Sequence, residues 1–298
     1  MRLSLSVPLS VMASVTLVLT VVADIAIDRS FESIRWAKDK QMEAVAATVN
    51  STLREAGHNA MAQAELIAGM PGVSDAVAKS DVDWLKGMAP DYQRQRAKYG
   101  IDGASFVLPP ATMLLRLHDL SRAGDDQSQK RPLLVTANTM QVPMSGLEIS
   151  STTIGMRGTA PVSSNGTHVG TVEWAIGLFR IAQEIHDSTN SEITFFIDRS
   201  RVEGNRLAEE RLIGPMSGMV ATDWELATSV VTPVDLEPFN GDKILYRNLH
   251  GTAYGIVHVP LYDFSSQRVG TVVAVRDVSE FTRAENTIRS IVITVVLV

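Results

Sequence analysis

Two stretches about 100 residues apart resemble each other closely enough to indicate a duplicated fold. Pro161 to Ile185 and Pro260 to Glu285 each read as a strand, a polar turn, a second strand and the start of an amphipathic helix. Both contain the tetrapeptide Val-Gly-Thr-Val, at Val169 to Val172 and Val269 to Val272. Asn165-Gly166 favours a hairpin in the first copy because both residues accept positive φ. Self-similarity at a fixed spacing predicts two like structural units.

The sequence around this repeat predicts two α+β modules, at 71–188 and 189–278, each built mainly of antiparallel strands. A helix is expected over Arg131 to Thr139. Strands are expected at Ala104 to Leu108, Met113 to His118, Ile154 to Val162 and Val169 to Leu178, and then at Glu192 to Asp198, Trp224 to Val231, Lys243 to Leu249, Thr252 to Leu261 and Arg268 to Arg276. The predicted architecture is a long helix followed by two PAS-like modules.

A long helix is predicted ahead of the modules, within residues 28–70. From Ser30 to Ala68 there is no proline, Gly57 is the only glycine, and apolar or small residues recur at steps of three and four. Such a helix would be about 60 Å long and needs a packing partner. Two interpretations remain open and are compatible: a helix that spans its own domain, and a stalk that pairs two copies of the chain into a homodimer.

Both ends of the chain predict contact with a lipid bilayer. Leu3 to Ala23 carries no charge and is long enough to cross the hydrocarbon core, which predicts a transmembrane helix at 3–27. Ile291 to Val298 is wholly apolar and is interpreted as the start of a second, truncated transmembrane helix within 279–298. The alternatives are a cleaved signal peptide and a C-terminal core strand. The basic residues after the first segment do not by themselves place the middle of the chain outside the cell.

Composition excludes several classes of protein. The net charge of −6 and the lack of a Lys/Arg run argue against a nucleic-acid partner. Without cysteine there are no disulfides or thiolate chemistry. The six histidines show no HExxH spacing, and neither GxSxG nor a P-loop is present. We therefore expect no enzyme, no metal and no cofactor.

One region carries a recognisable series of motifs. These are Arg116-Leu117-His118, Gly124 to Ser128, Arg131 to Asn138, Ser145 to Glu148, Met156 to Val162, and Val169 to Glu173. In order and spacing they resemble the double-Cache sensor domains of bacterial methyl-accepting chemotaxis proteins and sensor kinases. Met156 and Gln127 depart from the residues expected there, Ile and Leu, without breaking the pattern.

The resemblance implies a periplasmic sensor held at the inner membrane between two membrane helices, with residues of about 28–290 outside. It implies that a small molecule binds in the membrane-distal module and that the output is chemotaxis signalling. A histidine kinase or a diguanylate cyclase is an alternative output. Two further hypotheses for the function stay open, a periplasmic scaffold without a small ligand and a secreted enzyme.

The predicted strand Met113 to His118 places Arg116 and His118 on one face, opposite Met113, Leu115 and Leu117. On a pocket wall, arginine and histidine would bind a carboxylate, since the guanidinium presents two parallel donors. On a solvated face they would be ordinary surface residues. The resemblance favours the pocket and a ligand that is anionic or zwitterionic.

Further residues are candidates for the same site. Arg157, Glu148 and Glu173 lie in apolar strand contexts, and Arg131 begins the predicted helix. Each is also a candidate structural ion-pair partner, and Glu173 with Arg157 is a plausible pair on adjacent strands. Three aromatic residues are candidates either for the pocket wall or for the core, and they are Tyr99, Phe106 and Trp174. Asp126, after Gly124-Asp125, either forms a tight turn or belongs to a loop that folds over the ligand.

Overall fold

A single helix accounts for the first part of the described chain. The computed structural model describes residues 6–149, 154–202 and 211–296. Helix α1 (Ser6–Ala68) is continuous through both the predicted membrane segment and the predicted stalk, and it stops at the glycine- and proline-rich turn that follows Ala68. Three short helices follow it, and they are α2 (Val73–Ala78), α3 (Val82–Lys86) and α4 (Ala89–Tyr99).

The first sheet is antiparallel and has five strands in the order β2-β1-β5-β4-β3. A helix, α5 (Pro132–Met140), lies between its second and third strands along the chain. The strands are β1 (Ile101–Leu108), β2 (Thr112–Arg116), β3 (Met144–Ile149), β4 (Ile154–Ser164) and β5 (Thr167–Gly177).

The second sheet repeats this arrangement. Its order is β7-β8-β6-β11-β10-β9, which is the order of the first sheet with the two-residue strand β7 added at one edge. The elements are α6 (Leu178–Thr189), β6 (Glu192–Asp198), β7 (Leu212–Ile213), β8 (Met216–Ala221), α7 (Trp224–Val230), β9 (Lys243–Leu249), β10 (Thr252–Tyr262), β11 (Arg268–Asp277) and α8 (Ser279–Val296). The predicted fold class, a long helix and two antiparallel modules, is confirmed.

The repeated tetrapeptide has a structural reason. Gly170 lies in β5 and Gly270 in β11, in each case at the centre of a sheet. A Cβ atom at Gly170 would lie 2.6 Å from the carbonyl oxygen of Val107, and one at Gly270 would lie 2.1 Å from that of Phe196. Only glycine permits this close approach of the neighbouring strand.

Helix α1 packs against both sheets. Its middle part, with Met42 and Val49, contributes to one core together with the second sheet and α6. Its last turns, with Ala60, Ala64 and Ile67, contribute to another core with the first sheet. One helix therefore forms a wall of both modules.

Three strands, β3, β7 and β8, were not predicted from the sequence, and two predicted strands differ from the structure. Trp224 to Val231, predicted as a strand, is the helix α7, because the Asp223 side chain accepts the Leu226 N–H at 2.9 Å and caps it. In the first sheet, a β-bulge between Phe106 and Val107 breaks the alternation expected for β2. Met113 consequently packs with Val107 on the face away from α1 and does not join Leu115.

Within the described residues, no helix combines the length and the apolar character that a membrane crossing requires. The predicted spans at 3–27 and 279–298 lie partly outside the described part of the chain, at residues 3–5 and 297–298.

The closest approach of α1 to the first sheet gives a stability prediction. A Cβ atom at Gly158 in β4 would lie 1.9 Å from the Met61 nitrogen and 2.1 Å from the Ala60 carbonyl carbon, both backbone atoms of α1. We expect Gly158→Ala to lower the free energy of unfolding by about 1–3 kcal/mol or more, as overpacking does. Urea denaturation of the two proteins measures this difference.

Gly69→Ala is the matched control, because its Cβ would meet only ordinary contacts, the nearest at 3.4 Å. We expect it to leave stability unchanged or slightly raised. Equal effects of the two substitutions would contradict the described position of α1 on β4.

Candidate ligand-binding cleft and buried charge cluster

The predicted site residues lie on both faces of the first sheet. Side chains alternate along β5, so Glu173 and Trp174 project to opposite sides. Trp174 is directly opposite Gly158, on the face covered by α1, whereas Glu173 is opposite Thr159 and Ser105 on the other face. The candidates therefore form two separate groups.

On the face away from α1, four buried ionised side chains meet, and we call Arg131, Glu148, Arg157 and Glu173 the charge cluster. Arg131 forms ion pairs with both Glu148 and Glu173. Arg157 Nη1 lies 3.3 Å from Glu173 Oε1, and its Nε lies 3.9 Å from Glu148 Oε2. Each residue is at most 4% exposed, so the four charges are screened little by solvent. The expected Arg157–Glu173 ion pair is present.

The charges balance within the cluster, and the pKa shifts reflect this balance. Burial alone would raise the pKa of Glu173, but Arg131 and Arg157 outweigh burial and lower it. Burial alone would lower the pKa of Arg131, but Glu173 and Glu148 raise it. In Arg157, burial and repulsion from Arg131 prevail and lower the pKa. Two cations and two anions leave no net charge for an ionic ligand to neutralise.

The cluster also holds α5 onto the sheet. Glu148 Oε1 accepts the Leu133 N–H at 3.0 Å, which satisfies a free amide in the first turn of α5. At the other end of α5, Asn138 Oδ1 accepts from Thr171 Oγ1 at 2.8 Å and lies 2.9 Å from His168 Nε2. These contacts give the motif residues Glu148, Asn138 and Thr171 a structural role.

Arg116 lies on the same side of the sheet, with its guanidinium already occupied. It donates two hydrogen bonds to Asp125, at 2.6 and 2.8 Å, and a third to the Arg122 carbonyl at 3.0 Å. The hydrogen bond from Arg116, against a smaller effect of burial, lowers the pKa of Asp125 to about 2. The interaction closes the loop after β2.

Asp126 and His118 form no ion pair within the described residues, unlike Arg116 and the charge cluster. Asp126 is exposed and accepts the Ser128 N–H at 2.9 Å. This contact fits the interpretation of a tight turn rather than that of a loop folded over a ligand. His118 is half-buried, with Nδ1 3.3 Å from the Ala104 carbonyl oxygen. Burial lowers the pKa of His118, so the ring is mainly neutral near pH 7.

The opposite face of the sheet, which α1 covers, carries an opening that we call the aromatic cleft. It has a volume of about 670 Å³ and lies between the end of α1, helices α3 and α4, and the sheet. Its wall residues include Leu66, Ile67, Trp84, Met88, Tyr92 and Trp174. Tyr92 and Trp174 meet edge to face, with ring centroids 5.9 Å apart.

A second cavity of about 320 Å³ continues the aromatic cleft, because Gln63, Gln95 and Trp174 line both. Its far end carries Arg180 and Glu184, one helical turn apart on α6. Both side chains are exposed, and neither has an ion-pair partner among the described residues. The connected space thus has an apolar aromatic end and an end with one charge of each sign.

The Tyr92 hydroxyl has no protein partner in the described part of the chain. Tyr92 is 3% exposed and lines the aromatic cleft, yet its Oη makes no hydrogen bond there. Burial raises its pKa to about 12, so the hydroxyl stays protonated and able to donate. A buried hydroxyl without a partner costs free energy, which a bound polar group would recover.

Sequence reasoning found part of this cleft. Tyr99 and Trp174 were candidates for a pocket wall and do line the connected space, whereas Phe106 is 1% exposed in the core beside α1. Trp84 and Tyr92 were missed. The available signal was Asp81, which caps α3 by accepting the Trp84 N–H at 3.1 Å and so marks a helix start. Among the described residues, no group of His, Cys, Asp or Glu is arranged to hold a metal ion.

The charge cluster predicts non-additive mutations. Arg131→Met leaves Glu148 poorly paired in an apolar setting, so we expect a loss of about 3–5 kcal/mol in the free energy of unfolding. The double variant Arg131→Met/Glu148→Leu keeps the Arg157–Glu173 pair and should be more stable than Arg131→Met alone. Urea denaturation of Arg131→Met, Glu148→Leu and the double variant measures all three differences from the parent protein, and simple additivity would contradict the coupling.

Comparison with known proteins agrees with this architecture. The family model described as "Double sensory domain of two-component sensor kinase", dCache_3, matches residues 38–282. No curated protein matches significantly.

Solved structures of sensor domains are similar in fold. The sensory domain of the Campylobacter jejuni chemoreceptor Tlp3 with isoleucine bound is 13% identical, with 86% of this chain and 97% of that one covered and a TM-score of 0.49. The sensor domain of the V. cholerae histidine kinase DctB is 9% identical, with 83% and 98% covered and a TM-score of 0.46. By the family match over residues 38–282, this chain belongs to the dCache_3 family of double sensory domains.

Proposed function

We propose that the chain is the extracytoplasmic sensing region of a bacterial signalling receptor, and that it binds a small zwitterionic molecule in the aromatic cleft of the first module. Family membership supports a sensory role. The observation that carries the location is the open space between α1, α4 and β5, whose wall includes Tyr92 with its buried hydroxyl, unpartnered among the described residues.

The size of the space supports a small-molecule ligand. Cavities of about 670 and 320 Å³ lie within or near the range of roughly 300–1,000 Å³ usual for small-molecule sites. Their walls are mainly apolar and aromatic, with a few polar groups, which is the usual composition of such sites. A ligand with an apolar side chain fits between Trp84 and Trp174.

The charges at the far end support a zwitterion. Arg180 offers a guanidinium to a carboxylate, and Glu184 offers a carboxylate to an ammonium. The amides of Gln63 and Gln95 lie between these charges and the aromatic wall. An amino acid with an apolar side chain presents both charges at one end and apolar surface at the other.

The charge cluster is a poorer candidate for direct binding. Its arginines already have carboxylate partners, and its residues are almost fully buried. An incoming carboxylate would have to displace Glu148 or Glu173 and leave that side chain buried without its partner. We therefore assign Arg131, Arg157, Glu148 and Glu173 to holding the fold on the far side of β5.

The receptor context is part of the proposal. Large apolar side chains are exposed along the first part of α1, among them Val11, Leu17, Val22 and Ile25, and they support attachment at the bacterial inner membrane. A homodimer through α1 and a chemotaxis output remain predictions. The family description, which names sensor kinases, favours a histidine kinase as the alternative output.

Binding to the cleft is testable with the twenty common L-amino acids on the full chain. Isothermal titration calorimetry should show saturable binding of at least one amino acid with an apolar side chain. We expect Tyr92→Phe to reduce affinity at least tenfold while leaving the unliganded protein as stable or more stable, since the lost hydroxyl has no protein partner. Trp84→Ala should also reduce affinity.

Trp36→Ala is the matched control, because Trp36 is exposed on α1 and is not part of the cleft wall. Its affinity should equal that of the parent protein. If Arg116→Gln abolishes binding while Trp84→Ala does not, the ligand lies on the other face of the sheet. If no amino acid binds, the zwitterion assignment is wrong.

A further inference from the structure

The second module contains a fully buried histidine whose ring has no polar partner in the described part of the chain. His258 lies in β10 and is 0% exposed, and neither Nδ1 nor Nε2 makes a hydrogen bond there. It is directly opposite Lys243 in β9 and Val273 in β11, so all three side chains project to one face. Val273 packs in the core on the side away from α1. His258 therefore faces the segment that covers the outer side of this sheet.

Two cations without a carboxylate partner among the described residues lie near the Phe239 ring, which in turn contacts His258. Phe239, in the covering segment, meets the His258 ring edge to face at 6.1 Å. The Arg268 guanidinium lies 4.7 Å from the Phe239 ring and the Lys243 ammonium 5.8 Å from it. Arg268 donates from Nε to the Gly270 carbonyl at 3.4 Å and from Nη1 to the Phe239 carbonyl at 3.3 Å, whereas its buried Nη2 has no hydrogen-bond partner among the described residues. Within those residues, neither cation makes an ion pair.

The nearest buried carboxylate is already bound. Asp235 accepts from Arg247 at 2.9 and 3.2 Å and from Thr232 Oγ1 at 2.7 Å. It acts on His258 only through space. Around Phe239 there are consequently, among the described residues, hydrogen-bond donors without acceptors and positive charges without a counter-charge.

We propose that the second module holds a separate binding site for a small carboxylate anion between His258, Arg268 and Lys243, under Phe239. A carboxylate has two oxygens, one to accept from the unpartnered Nη2 of Arg268 and one to accept from a His258 N–H. The apolar body of the anion lies against Phe239 and Val273. This site is distinct from the aromatic cleft, which lies in the first module.

The electrostatics agree with an anion. Burial lowers the pKa of His258 to about 4, so the ring is neutral near pH 7 and one of its nitrogens carries a proton to donate. Burial also lowers the pKa of Arg268, which expresses the cost of a guanidinium without a counter-charge. The anion supplies that counter-charge.

The test uses sodium acetate and sodium propionate as probes on the full chain, titrated by calorimetry against sodium chloride at equal ionic strength. We expect saturable binding of at least one carboxylate and no saturable heat with chloride. His258→Leu and Arg268→Gln should each weaken carboxylate binding at least tenfold. Arg199→Gln, an exposed arginine of the same module, is the matched control and should bind as the parent protein does.

Other outcomes overturn the proposal. Binding that persists unchanged in both His258→Leu and Arg268→Gln excludes this site, as does the absence of binding in the parent protein. Inorganic phosphate binding as tightly as acetate excludes the carboxylate class. Trp84→Ala should lose amino-acid binding and keep acetate binding, so failure of the cleft and failure of this site are separately visible.

Discussion

The structure depends on the contact of one helix with two sheets. At Gly158 the backbone of α1 reaches the first sheet so closely that no side chain fits between them. At Gly255 in the second sheet, a Cβ atom would lie 2.6 Å from the Met42 sulfur, so there the side chain of Met42 packs directly on the strand. Because interiors are close-packed, neither sheet can move relative to α1 without repacking the shared cores. The helix is therefore the element through which the two modules are held in one arrangement.

Strand β5 separates the aromatic cleft from the charge cluster in the first module. Trp174 faces the aromatic cleft, while the adjacent Glu173 is held by Arg131 and Arg157 on the other face. The charge cluster holds the strand on the opposite face, so the cleft wall is preorganised, and the binding proposed there would cost little ordering entropy. Through Glu148 the cluster also fixes β3, whose Leu147 carbonyl accepts the Phe264 N–H from the β10–β11 turn at 2.9 Å. The edge of the first sheet is thus hydrogen-bonded to the second module.

Local periodicity and internal repetition in the sequence were enough to predict the paired hairpins and the helix after Arg131. The tetrapeptide at Val169 and Val269 indicated two equivalent hairpins, and the helix after Arg131 was recognised within one residue of its observed ends. The prediction of a strand at Trp224 to Val231 was wrong. The β-branched and aromatic residues of this segment favour strands, but the Asp223 carboxylate caps it as a helix. The aromatic cleft was only half visible, since the meeting of Tyr92 with Trp174 depends on how α4 crosses the sheet. The charge pairs were partly visible, because Arg157 and Glu173 lie on strands predicted to be adjacent.

The position of the cleft determines how occupancy can reach the far end of the molecule. The cleft wall includes Leu66 and Ile67, in the last turns of α1. In the first half of that helix, the ring of Phe31 lies 5.8 Å from the Arg289 guanidinium of α8, so α8 runs beside α1 there. A ligand that binds better to one position of α1 than to another shifts the population toward that position, and by no more than its difference in affinity. Since α1 is continuous from Ser6 to Ala68 and contacts both cores, the proposed site predicts a displacement of the helix relative to α8 rather than a local change in the first module.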